Sequence, residues 1–170
     1  MIQKIKSNIW SFEFSEFGSI VYLVKLKDKK IIIDTGSPLN KDELLSDLKE
    51  LNLKPEEIDL VILTHYHFDH IGNAGLFTKA KVYGSKKDFS EKEIIDISEL
   101  KIPEFKIIET PGHSKGSFCI LYDDVLFSGD TIFHNGGIGR MDLEGGSETE
   151  MKKSLEKLSK IKYKILCPGH

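Results

Sequence analysis

The stretch Leu60-Val61-Ile62-Leu63-Thr64-His65-Tyr66-His67-Phe68-Asp69-His70 sets the terms on which the chain is read. Its four leading apolar residues, with Ile58 before them, read as a buried strand. Four side chains able to bind a metal then fall within six positions: His65, His67, Asp69 and His70. His65 and His67 alternate, so an extended backbone points both the same way. Asp69 and His70 follow where the chain turns toward Gly72. One ion needs three or four ligands, and adjacent residues on a bend aim in different directions. The spacing therefore suits two ions sharing a cleft better than one. Three of the six histidines in the chain sit here, which favours a metal centre over a polar loop with scattered histidines.

Length and composition bound the rest. With 170 residues, 39% of them hydrophobic and 30% charged, the chain reads as one globular domain over 1–170. A net charge of −3 gives no footprint for nucleic acid or an anionic membrane. Met1-Ile2-Gln3-Lys4-Ile5-Lys6 has no apolar leader region, and no run approaches membrane-spanning length. Cys119 and Cys167 form no CxxC and read as reduced thiols in a cytoplasmic protein. Arg140 is the one arginine.

On the N-terminal side, Ile9-Trp10-Ser11-Phe12-Glu13-Phe14 alternates as a half-buried strand does. A strand at 20–26, a turn at Lys27-Asp28-Lys29 and a returning Ile31-Ile32-Ile33 end at Asp34-Thr35-Gly36. Asn40 with Glu43 predicts a capping box for a helix burying Leu44, Leu45, Leu48 and Leu51. Beyond the histidines, a short helix at 73–77, a strand at 81–84, and a surface helix plus loop over 85–100 are expected. A strand at 105–108 delivers Thr110-Pro111-Gly112-His113-Ser114. A hairpin of 117–122 and 125–127 ends at Ser128-Gly129-Asp130-Thr131, echoing the earlier hairpin that ends at Asp34-Thr35. Ser147 with Glu150 caps a last helix whose apolar face is Met151, Leu155 and Leu158. A strand at 164–166 then delivers Cys167-Pro168-Gly169-His170. Asp34, His65, His113, Asp130 and His170 thus each lie just beyond an apolar strand, where functional loops gather on a scaffold. Hairpins argue against an all-parallel sheet and suit two sheets with helices outside.

These motifs resemble those of the metallo-β-lactamase superfamily. The likeness lies in His-x-His-x-Asp-His at 65–70, Pro-Gly-His-Ser around His113, Asp130 after a strand, Pro-Gly-His at His170, and Asp34-Thr35-Gly36. It covers essentially the whole chain. It implies an α+β fold, the αββα sandwich, with two mixed β-sheets packed face to face, helices outside and metals at one edge. It also implies that His65, His67 and His113 hold one ion, that Asp69, His70 and His170 hold the second, and that Asp130 bridges them. Asp34 is left out of that set, as turn chemistry that supports the metal loop. Both cysteines read as structural. Tyr66 and Phe68 are expected to pack beneath the loop, with Tyr66 also able to line a substrate cleft.

At Gly136-Gly137-Ile138-Gly139-Arg140-Met141-Asp142 the resemblance narrows to glyoxalase II-like thioester hydrolases and the related persulfide dioxygenases. Both carry Gly-x-Gly-Lys/Arg soon after the bridging Asp. Two roles stay open for Arg140: it anchors the acidic end of a thiol-containing substrate, or it pairs with Asp142 and stiffens the loop. His134 and Asn135 line that loop. The leading expectation is hydrolysis of a small-molecule thioester by a metal-bridging hydroxide, with Asp69 and Asp130 as the catalytic carboxylates. Two divalent ions are implied, zinc first, with iron or manganese as alternatives. A thiol of pKa about 8.5 departs as thiolate, whereas an amine needs a proton donor that the sequence does not supply. Glyoxalase II enzymes continue past the last histidine into a helical region that binds glutathione. The chain ends at His170, so glutathione specificity is not implied. The rival enzyme is a persulfide dioxygenase with one iron on His65, His113 and Asp130. A superfamily ribonuclease fits poorly without a basic patch, and a metal-binding module without turnover is the non-enzymatic alternative.

Overall fold

In the computed structural model, which describes all 170 residues, the apolar runs of the N-terminal half become a seven-stranded sheet. Strands β1 (Ile2–Lys6), β2 (Ile9–Phe12), β3 (Val21–Lys25) and β4 (Lys30–Ile33) pair antiparallel in succession. Strand β5 (Leu60–Ile62) then runs parallel to β4, β6 (Lys81–Gly84) runs parallel to β5, and β7 (Ile94–Asp96) closes the order. The register places Ile32 between Leu23 and Val61, all three wholly buried. Parallel strands need a crossover, and helix α1 (Lys41–Glu50) supplies the one from β4 to β5. It buries Leu44 and Leu48, while Leu45 and Leu51 are half-buried.

The second sheet has the order β11-β10-β9-β8. Strands β8 (Phe105–Glu109), β9 (Phe118–Tyr122) and β10 (Val125–Gly129) pair antiparallel, and β11 (Ile165–Pro168) lies parallel to β10. The β9–β10 hairpin turns on Asp123, whose φ of 54° is a left-handed value that Asp tolerates better than most residues. Helix α3 (Glu148–Leu158) makes the crossover to β11 and starts as expected: the Ser147 hydroxyl accepts from the Glu150 amide at 3.3 Å. Its Met151 and Leu158 are buried and its Leu155 half-buried.

The chain divides into two compact units. One holds 1–63, 67–83 and 93–95; the other holds 64–66, 84–92 and 96–170. No helix is long and apolar enough to cross a membrane.

Three expectations are corrected. The capping box lies one turn earlier, around the 3-10 turn Pro38–Asn40, where the Ser37 amide donates to Asn40 Oδ1 at 2.8 Å. Asn40 is buried, and its amide nitrogen is taken up by the Glu16 carbonyl at 2.9 Å. Glu43 instead accepts from the Ser15 hydroxyl at 2.6 Å, and that bond holds its carboxyl below the usual range. The helix expected over 73–77 is a 3-10 turn at Ala74–Leu76, preceded by the short helix α2 (Phe68–Ile71). The segment 85–100 contains β7 and a 3-10 turn at Ile97–Glu99 rather than a surface helix. β-Branched Ile94, Ile95 and Ile97 favour the extended form, and Asp96 captures the Ser98 amide at 2.9 Å. Strand β1, with its alternating lysines, is an edge strand that hydrophobic patterning passes over.

Candidate metal centre

In the first unit His67 caps the start of α2, and its carbonyl accepts from the His70 amide at 2.9 Å. Asp34 directly follows β4, with Oδ2 2.8 Å from His70 Nδ1. Thr35 holds the same residue from its main chain, because the His70 carbonyl accepts from the Thr35 amide at 2.6 Å and from its hydroxyl at 2.9 Å. With Nδ1–H committed to Asp34, the other ring nitrogen of His70 presents its lone pair, the arrangement that metal-ligating histidines require. That nitrogen, Nε2, lies 3.9 Å from Asp69 Oδ2. Asp69 is itself fixed through its carbonyl, which accepts from the Ser19 amide at 2.9 Å.

The second unit brings His65, His113, Asp130 and His170 together. His65 Nδ1 lies 3.0 Å from Thr64 Oγ1, and its ring meets that of His113 edge-on at 4.7 Å. His113 Nδ1 is 2.7 Å from the Arg140 carbonyl. A carbonyl can only accept, so Nδ1 carries the proton and Nε2 is the donor atom left for a cation. Asp130 follows β10 at Gly129, where the backbone passes so close to Thr64 that a Cβ would come within 2.7 Å of Thr64 Oγ1. Asp130 Oδ2 then lies 3.4 Å from His113 Nε2 and 3.6 Å from His170 Nε2. These separations are too long for good hydrogen bonds. They match two ligands of one cation, since bonds of about 2.0–2.1 Å at a tetrahedral angle put donor atoms roughly 3.3–3.5 Å apart.

The donor chemistry fits a divalent ion. Asp130 is 8% exposed, and His65, His70 and His113 are at most 2% exposed. Carboxylates buried among imidazoles need a balancing positive charge. Within the first unit His67, Asp69 and His70, and within the second His65, His113, Asp130 and His170, are side chains of the kinds that hold such an ion.

Around these donors the outcome is mixed. Tyr66 is half-buried and its hydroxyl donates to the Glu144 carbonyl at 2.8 Å. Burial, then the Glu144 and Asp88 carboxylates, push its phenol up from the ordinary value. Phe68 does not pack beneath the loop; it is 61% exposed, with its ring 6.2 Å from the equally exposed Phe17. Arg140 grips Asp142 with both arms of its fork, at 2.8 and 2.7 Å. His134 and Asn135 form a 3-10 turn ahead of that loop, with Asn135 at φ 62°. Cys119 and Cys167 are buried and form no disulfide.

Residues 15–88 and 85–170 match the metallo-beta-lactamase superfamily. The chain belongs to that superfamily. A protein of Methanocaldococcus jannaschii named as a probable metallo-hydrolase is 38% identical over 143 residues, 82% of this chain and 70% of that one. The hydroxyacylglutathione hydrolase of an Enterobacter species is 32% identical over 173 residues, 96% of this chain and 65% of that longer enzyme. Among solved structures, ETHE1 from Myxococcus xanthus superposes with a TM-score of 0.77 at 25% identity, covering 100% of this chain and 75% of that one. The protein TTHA1623, in a di-iron-bound form, gives 0.79 at 25% identity over 94% and 91% of the two chains. The two mixed sheets and their helices are accordingly the α+β sandwich of metallo-β-lactamases, and the chain is a metallo-hydrolase family member with His and Asp groups able to hold metal.

Proposed function

We propose that this metallo-β-lactamase-fold protein is a binuclear hydrolase acting on a small-molecule thioester, with 1–170 as one catalytic domain. The observation that carries the reading is the setting of Asp130, whose Oδ2 faces the Nε2 atoms of two histidines at 3.4 and 3.6 Å. One ion is assigned to His65, His67 and His113, the other to Asp69, His70 and His170, with Asp130 shared. A bound divalent ion supplies Lewis acidity and lowers the pKa of water from about 15.7 to about 7.

The chain's own residues hold and aim. Asp34 and the Arg140 carbonyl fix the rings of His70 and His113, so their Nε2 lone pairs need no reorganisation when charge develops. Asp130 contributes negative charge between two imidazoles. Thioester cleavage is the reaction that asks least of side chains, because a thiolate leaves without a proton donor. The likeness to a hydroxyacylglutathione hydrolase supports that substrate class.

The second reading is a persulfide dioxygenase with a single iron on His65, His113 and Asp130. It is favoured by the likeness to ETHE1 and by the grouping of those three residues within one unit. Metal analysis of natively purified protein, alongside a thioester panel and an oxygen-uptake assay with a persulfide, tests both. Two ions per chain with thioester turnover supports the first reading. One iron per chain with persulfide-dependent oxygen uptake replaces it with the second.

A further inference from the structure

We infer that Gly139-Arg140-Met141-Asp142 is a brace for the metal centre, and that Arg140 is a positioning residue acting through its main chain rather than a substrate anchor. The inference rests on the reading of His113 and Asp130 as metal ligands.

Three observations converge on this segment. The Arg140 carbonyl accepts from His113 Nδ1 at 2.7 Å, which sets both the tautomer and the tilt of that ring. One residue earlier, the backbone of Gly139 lies against both donors at once. A Cβ there would stand 1.9 Å from the Asp130 carbonyl oxygen and 2.9 Å from His113 Nδ1. No side chain fits, so glycine is required by contact rather than by conformation.

The flanks keep the segment in place. An antiparallel bridge joins Ile132 to Ile138, and the Phe133 amide donates to the Gly137 carbonyl at 2.7 Å, so the chain doubles back directly after Asp130. On the far side a Cβ on Gly146 would stand 2.1 Å from the Met141 carbonyl oxygen. The Ser147 amide then donates to the Gly112 carbonyl at 2.8 Å, beside His113. The loop thus leaves from one proposed ligand and returns to the neighbour of another.

The Arg140 guanidinium completes the device. Its Nε and Nη2 donate to Asp142 Oδ1 and Oδ2 at 2.8 and 2.7 Å, a bidentate pair two residues apart. Residues two apart on extended backbone point the same way, so the fork ties Arg140 to Asp142 across Met141 and limits how far the Arg140 carbonyl can turn. Both groups are exposed, at 63% and 68%, and an exposed pair contributes little to global stability. Its consequence is local.

The test is ion affinity, measured on the full chain by chelator competition with Zn²⁺ and with Co²⁺, whose absorption bands report ligand geometry. Arg140→Ala and Asp142→Asn are each expected to weaken binding several-fold and to shift the cobalt bands. The double variant should be no worse than the singles, because both break one latch. Arg140→Lys should fail to rescue, since an ammonium cannot fork. Gly139→Ala should weaken binding by about 10–100-fold. Lys152→Ala, on the exposed side of α3, should do nothing. Metal-free melting temperatures of the Arg140 and Asp142 variants should match that of the parent, which separates the effect from misfolding. Unchanged ion affinity in Arg140→Ala, with a raised KM confined to acidic thioesters, would overturn the inference in favour of the anchor. A parent chain that binds neither ion overturns the metal-centre reading itself, a result no loop variant could mimic.

Discussion

Asp34 Oδ2 and His70 Nδ1 stand 2.8 Å apart, and the pair joins positions 36 residues apart with at most 3% of either side chain exposed. Asp34 adopts φ 56° to do this, a left-handed value uncommon for a residue with a Cβ. Backbone in that region persists where the surroundings over-determine it, and here the β4 end and the His70 contact do so together. Asp34→Ala is therefore expected to lower divalent-ion affinity by about 10–100-fold. Asp34→Asn, which keeps an acceptor oxygen, should lose less. Isothermal titration with Zn²⁺ checks the order of the two, and equal affinities would remove Asp34 from the site.

Asp130 lies between the Nε2 atoms of His113 and His170, so its loss affects both proposed ion positions. Asp130→Ala should lower bound metal below one equivalent and abolish thioester turnover. Elemental analysis and a progress curve on the same sample measure the two. Full turnover in that variant would dismiss Asp130 from the mechanism.

Cys119 is wholly buried, and burial pushes its thiol up to about 11, outweighing the opposing hydrogen bonds from Thr110 and Thr131. The raised folded value means that the neutral thiol is the form native packing accepts. Its contribution to stability is complete below the unfolded thiol's pKa of about 8.5 and is lost as pH rises toward 11, at roughly 1 kcal/mol per pH unit. Urea melts between pH 8 and 11 should show that decline, flattened in Cys119→Ala. A disulfide reagent at pH 8 should label Cys119 only after unfolding.

Two glycines with positive φ separate steric contact from backbone strain. At Gly112 (φ 144°) a Cβ would lie 2.6 Å from the backbone of Met151, whereas at Gly136 (φ 77°) it would meet nothing within 4 Å. Gly112→Ala should cost about 1–3 kcal/mol beyond what Gly136→Ala costs, because it adds overpacking to strain. Denaturant midpoints of the two variants give the difference directly.

The apolar runs of this molecule, and the polar residues at their ends, are its legible part. Ile31-Ile32-Ile33, 60–63, 105–108 and 125–127 read as strands because burial needs contiguous or alternating apolar side chains, and each became one. The donors stand out because histidine is scarce, and the superfamily match confirms the family that their spacing resembles. Less of the local detail was readable. Glu43 carries the right residue type at the right spacing for a capping box, yet turns to Ser15, because Asn40 is already engaged by Ser37 and Glu16. Phe68 reads as a packing residue and stands in solvent.

Residue type and order are enough for the superfamily, the run of strands, and the side chains available to bind a cation. Folding in three dimensions was needed to select which nitrogen of His70 and His113 is held and which is presented. The holder of His113 is a main-chain carbonyl, a group every residue carries, and the holder of His70 is a carboxylate brought from another strand end. The carbonyl leaves no mark in the sequence, because its meaning comes from position and not from type; Asp34 was legible as support for the metal loop, but its partner ring was not.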